Sequence, residues 1–112
     1  MAKNFAFASR ACNIAFFDDD PITVALPICG STDEKIRSAL KAILDSDKQD
    51  TEADKVRIGM QALGDMIGAS QAKQILDRSD EVDSYAIQQV AIYVRNCYVA
   101  EKAKNLSGSL VR

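Results

Sequence analysis

The chain has 112 residues, 47% of them apolar, with 14 basic and 16 acidic side chains and a formal charge of −2. That length suits one small domain with little core to spare. Its scattered bases and net negative charge argue against a broad phosphate-binding face and hence against nucleic acid as the partner.

Residues 1–10 are small and mixed, and read as an arm or a weak strand. Cys12, Ile14 and Phe16 then alternate with Asn13, Ala15 and Phe17. After Asp18-Asp19-Asp20-Pro21, a second alternation sets Ile22, Val24, Leu26 and Ile28 on one side. Two period-2 runs around an acidic, proline-containing turn predict a β-hairpin over 12–28. Pro21 has no N–H to give a ladder, so it belongs in the turn or at the strand's opening; Pro27 marks an edge or an exit. A lone hairpin is marginal in water, so this one must pack on helices or on another chain.

The helical part is predicted over 31–106. Ser31-Thr32-Asp33-Glu34 has the pattern of a capping box ahead of Ile36, Ala39, Leu40, Ile43 and Leu44, giving a first helix to about Ser46. Thr51-Glu52-Ala53-Asp54 opens a second helix with Val56, Met60, Leu63 and Ile67 inward and Gly68 at its C-terminus. Gly59 and Gly64 lie inside it and cost about 1 kcal/mol each relative to alanine, which close approach of another helix, a kink or a break would explain. Residues 70–78 form a short third helix with Ala72, Ile75 and Leu76 inward.

The fourth helix is the strongest signal, running from Ser79 to about Asn105. Ser79 is placed to cap it, Asp80, Glu81 and Asp83 to fill its first turn, Lys102 and Lys104 to sit near its end, and Ser107-Gly108 to stop it. On a wheel at about 100° per residue, Val82, Ala86, Val90, Tyr93, Cys97 and Ala100 share a face flanked by Ile87, Val94 and Tyr98. On the far side lie Tyr85, Ile92 and Val99, seven residues apart, bordered by Gln89 and Asn96. The polar stripe between the two runs is narrow: Ser84, Gln88, Arg95 and Lys102. Two readings fit. Either the helix sits in the middle of its own domain, with the first two helices on one side and the hairpin on the other, or Tyr85, Ile92 and Val99 contact another subunit or protein. The predicted fold is α+β and mostly α: an N-terminal β-hairpin, then a small bundle of about four helices ending in one long helix, all in a single domain over 1–112.

Chemistry is hard to place on this chain. Histidine is absent, which removes the usual general base near neutral pH and the commonest metal ligand. Asp18-Asp19-Asp20 lacks the alternating spacing and glycine of a calcium loop and reads as an exposed turn. No phosphate-binding glycine motif occurs. No catalytic, cofactor or metal site is expected, and a non-enzymatic role follows. Cysteines 12, 29 and 97, an odd number with no paired spacing, suit a reduced, cytoplasmic protein. No segment reaches the roughly 20 apolar residues of a membrane span. A helix-turn-helix over the second and third helices, presenting Gln71, Lys73, Gln74 and Arg78 to DNA, is a competing use of the same segment.

The element order resembles the short tail assembly chaperones of siphophages and prophages of Gram-positive bacteria. The likeness runs from Asn13-Ile14-Ala15-Phe16-Phe17-Asp18-Asp19-Asp20-Pro21-Ile22-Thr23-Val24 to Tyr98-Val99-Ala100-Glu101-Lys102-Ala103-Lys104. It includes the glycine-led short helix Ile67-Gly68-Ala69-Ser70-Gln71-Ala72-Lys73-Gln74-Ile75-Leu76 ahead of the last helix. The resemblance implies a protein that binds the tape measure protein and keeps its hydrophobic helices soluble for tail assembly. It also implies a short form of a frameshifted pair, with Leu106–Arg112 near the junction. Such a chaperone works in the host or lysogen cytoplasm, and the wide apolar helix makes a homo-oligomer a further expectation for this chain. The family lends no binding residues, so Tyr85, Ile92 and Val99 stand on the wheel alone. A small DNA-binding or regulatory protein and a structural head or tail completion subunit are the alternatives.

Overall fold

Two strands form first in chain order: β1 (Ala11–Phe16) and β2 (Ile22–Pro27), antiparallel, with Ile14 opposite Val24 and Phe16 opposite Ile22. Coordinates are those of a computed structural model, which describes the backbone of residues 10–111 and the side chains of residues 10–105. The arm expected over 1–10 therefore lies almost wholly outside the described residues. Cys12, Ile14, Phe16, Val24 and Leu26 are buried on one face of the hairpin, and Ile22 and Ile28 pack half-buried against them. The period-2 alternation thus sets which face meets the helices.

Four helices follow: α1 (Gly30–Asp45), α2 (Glu52–Ile67), α3 (Ala69–Asp77) and α4 (Ser84–Val111), with a 3-10 turn at Ser46–Lys48 after α1. The fold is the α+β hairpin-and-bundle predicted, with boundaries shifted by a residue or two at the hairpin and further in α4.

The expected capping box of α1 does not form. The helix starts at Gly30 with Cys29 in the cap position, Ser31 already inside the first turn, and Glu34 paired to Arg37 at 2.6 Å. In α2 the expected cap is present, since Thr51 Oγ1 accepts the Asp54 N–H at 3.2 Å. Helix α2 is continuous through both internal glycines. A Cβ built on Gly59 would come within 3.0 Å of Ile87 Cγ2, so close approach of α4 is what requires glycine there. Gly68 alone joins α2 to α3. Its φ of +99° is open to glycine and strained for any other residue.

The start of α4 departs from expectation. Ser79 belongs to the turn that ends α3, its N–H bonded to the Leu76 carbonyl at 3.0 Å. The helix begins five residues later, where Asp83 Oδ1 accepts the Ala86 N–H at 2.8 Å. Glu52, from α2, accepts the Ser84 N–H at 2.7 Å and the Ser84 hydroxyl at 3.0 Å. Two carboxylates thus meet the free N–H groups and the positive end of the helix dipole. At the other end the helix runs through Ser107 and Gly108 to Val111, so no stop occurs there.

Within α4 the deepest residues are Ile87, Ala91, Val94 and Tyr98, all at most 2% exposed. This axis lies roughly 100° round the helix from the centre of the predicted face, at about 100° per residue. Ala86, Val90 and Cys97 are half-buried, while Val82, Tyr93 and Ala100 are exposed. The helix is nonetheless the middle element. Ile87 meets Gly59 of α2, Tyr98 reaches the start of α1, and Tyr93 packs edge-on against Phe16 of β1 with ring centroids 5.1 Å apart. Hairpin and helices share one core cluster.

Replacing the true cap should cost more than replacing the apparent one. Asp83→Ala is expected to lose about 1 kcal/mol in urea unfolding, the usual effect of a lost N-cap, and Ser79→Ala much less.

Candidate functional site

The candidate residues occupy the side of α4 turned away from the core. At seven-residue spacing they fall almost one above another, about 10.5 Å apart along the axis. Tyr85 is 67% exposed and Val99 53% exposed, while Ile92 between them is half-buried. Gln89 and Asn96 border the strip and are exposed. From Ser84 to Ala100 the helix carries a single charge, Arg95.

Beside this strip an open trough runs between α4 and α1. It is lined by Ile36, Leu40 and Leu44 from α1 and by Tyr98 and Val99 from α4, with Arg37, Arg95, Lys102 and Asp33 at its rim. Leu44, expected to face inward, is instead 50% exposed here. Its neighbour Ile43 takes the core position, and the helical pitch turns the next residue outward. Val99 belongs to both strip and trough.

Polar contacts at one end fix the trough's two walls to each other. Tyr98 Oη accepts the Cys29 N–H at 3.2 Å and donates to Asp33 Oδ1 at 2.7 Å, and Lys102 Nζ donates to Asp33 Oδ2 at 2.6 Å. The Lys102 and Tyr98 hydrogen bonds hold the Asp33 carboxyl below its ordinary range. Burial and the Asp33 bond push the Tyr98 hydroxyl up to about 12, so it stays a donor. These partners are 65 and 69 residues apart in the chain, a separation no local pattern reports.

A second cluster joins the hairpin turn to α3. Arg78 lies over the Phe17 ring at 4.1 Å and donates to the carbonyls of Asp19 and Asp20. Phe17 and Asp20 both have positive φ, 72° and 55°, so this turn is strained and the guanidinium holds it. Of the four residues that a DNA-reading α3 would offer, Arg78 is therefore committed to the hairpin. Lys73 pairs with Asp77 at 2.9 Å, and Gln74 bonds Ser70 at 3.1 Å. The three aspartates are exposed, as a turn requires. Among the described residues no group of three His, Cys, Asp or Glu side chains is placed to hold a metal ion, and no helix is long and apolar enough to cross a membrane.

The three thiols differ. Cys12 is buried, which pushes its thiol up, whereas Cys29 is exposed and hydrogen bonds with Ser31 and Thr32 bring it down to about 7. None is disulfide-bonded.

Because the Asp33 carboxyl is depressed on folding, its contribution to stability is present above the ordinary carboxyl range and is lost as pH falls through the folded value. Thermal unfolding followed from neutral to acid pH should show this limb below about pH 4. In Asp33→Asn the protein should melt earlier at neutral pH and the acid limb should flatten. With an aromatic disulfide reagent, Cys29 should react first, with a rate midpoint near pH 7. Cys12 should react only as the protein unfolds, and Ser31→Ala should move the Cys29 midpoint upward.

Comparison of the chain with protein-family models, curated proteins and solved structures finds no match to any of them.

Proposed function

We propose that this chain is a non-enzymatic protein-binding module that acts as a tail assembly chaperone, with the outward side of α4 as its docking surface and a tape measure protein as its client in the host or lysogen cytoplasm. The observation that carries the docking reading is the strip itself: Tyr85 and Val99 stand exposed on a helix whose opposite side is fully buried. Single exposed apolar residues are ordinary on any surface, but here Val99 also lines an apolar trough bordered by Leu44. The chaperone and the client come from the resemblance in element order and texture.

The client reading is tested by co-expression with a siphophage tape measure protein, taken from beside this gene where one is encoded there. The soluble yield of that protein should rise with the parent chain and return to baseline with Val99→Glu or Tyr85→Glu. Both variants change exposed side chains, so their helix content by circular dichroism should match the parent. An unchanged client yield with the parent chain would reject the chaperone reading. Retention of the benefit in both variants would reject this surface. Size-exclusion with light scattering on the same samples distinguishes a client site from a self-association site: if the variants turn an oligomer into a monomer, the strip joins copies of this chain.

A further inference from the structure

The trough between α1 and α4 has a charge pattern at odds with the chain as a whole. The rim of the trough holds Arg37, Arg95 and Lys102; Glu34 pairs with Arg37 and Asp33 with Lys102, each at 2.6 Å, which leaves Arg95 as the surplus charge on a chain of net −2. Asp33 is already bonded to Tyr98 and Lys102. Arg95 differs from the other two bases. Its only side-chain partner among the described residues is the amide oxygen of Asn96 at 2.9 Å, and no carboxylate lies within salt-bridge distance. An arginine with no carboxylate in reach, beside exposed Val99 and Leu44, is available for a carboxylate that this chain does not supply.

The trough's shape narrows the class of occupant. It encloses about 390 Å³ but is open along its length, and from Asp33 to Leu44 the α1 wall extends about 16 Å, three helical turns. A small amphiphile is bound best by a closed cavity that covers most of its surface. An open channel between two helices, with an apolar floor, suits a third helix laid into it. Self-pairing of two such troughs would offer Arg95 only the lining's own acid, Asp33, which is already bonded to Tyr98 and Lys102.

We propose that the α1–α4 trough binds an amphipathic helix whose apolar stripe seats on Leu40, Leu44 and Val99 and whose acidic edge pairs with Arg95. The inference rests on the docking reading of this side of α4 and adds the chemistry of the partner.

The test uses two synthetic helices of about three heptads with the same leucine stripe, one carrying glutamates along one edge and the other lysines. Binding to the full chain is read by fluorescence anisotropy at low and high salt. The acid-edged peptide should bind about tenfold more tightly at low salt, and the margin should shrink as salt screens it. Arg95→Glu, which alters only a rim side chain, should remove that preference or invert it. Equal binding of both peptides that is lost in Val99→Glu would overturn the charge selection and leave the docking surface standing. Binding that Val99→Glu leaves intact, or binding of neither peptide, would overturn both. Oleate displacing the acid-edged peptide at concentrations below its own micelle formation would show that the trough prefers an anionic amphiphile and overturn the choice of partner.

Discussion

Everything in this molecule depends on one side of α4 being buried. Ile87, Ala91, Val94 and Tyr98 have essentially no exposure, and the elements packed around them come from β1, α1 and α2. Full burial of an Ile or Val side chain is worth about 1.5–3 kcal/mol, and a domain this small has few such residues. Gly59 shows how tightly the space is set, since the missing Cβ is what lets Ile87 approach α2. The hairpin, marginal by itself, borrows its cover from the same helix through Phe16 and Tyr93.

The element order was legible in the residues because period, caps and glycines act locally. Alternation marked the hairpin face, Thr51 marked the start of α2, and Gly68 marked its end. The largest error, the start of α4, arose because the deciding partner was far away in sequence. Ser79-Asp80-Glu81 has the composition of a helix start. The helix instead begins where Asp83 is joined by Glu52, 32 residues upstream of Ser84. A capping box at Ser31 lost to a start at Gly30 and a Glu34–Arg37 pair. The wheel gathered the apolar residues of α4 but centred its main face roughly 100° from the axis of burial, which runs through the flank of Ile87, Val94 and Tyr98 and which Ala91 shares.

The candidate surface was legible to a similar degree. Tyr85 and Val99 are exposed where the spacing put them, because any residue about half a turn from a buried row must face outward. Ile92 is only half so. The trough could not have been read from sequence, since it exists only where α1 lies against α4 and where Leu44 gives way to Ile43. Arg78 also illustrates the limit. Its segment looks like an exposed recognition helix, yet its guanidinium is spent on a strained hairpin turn met 58 residues earlier.

The order in which the chain is made gives the central helix a further consequence. Cys12 meets Cys97 across 85 residues of sequence, and Tyr93 reaches back to the Ala15 carbonyl. At typical synthesis rates, roughly 4–17 s separate the emergence of those partners. During that interval the hairpin has α3 against β2 but lacks the cover that α4 gives β1. β1 is therefore open to misassociation while the chain is being made, until α4 emerges and covers it.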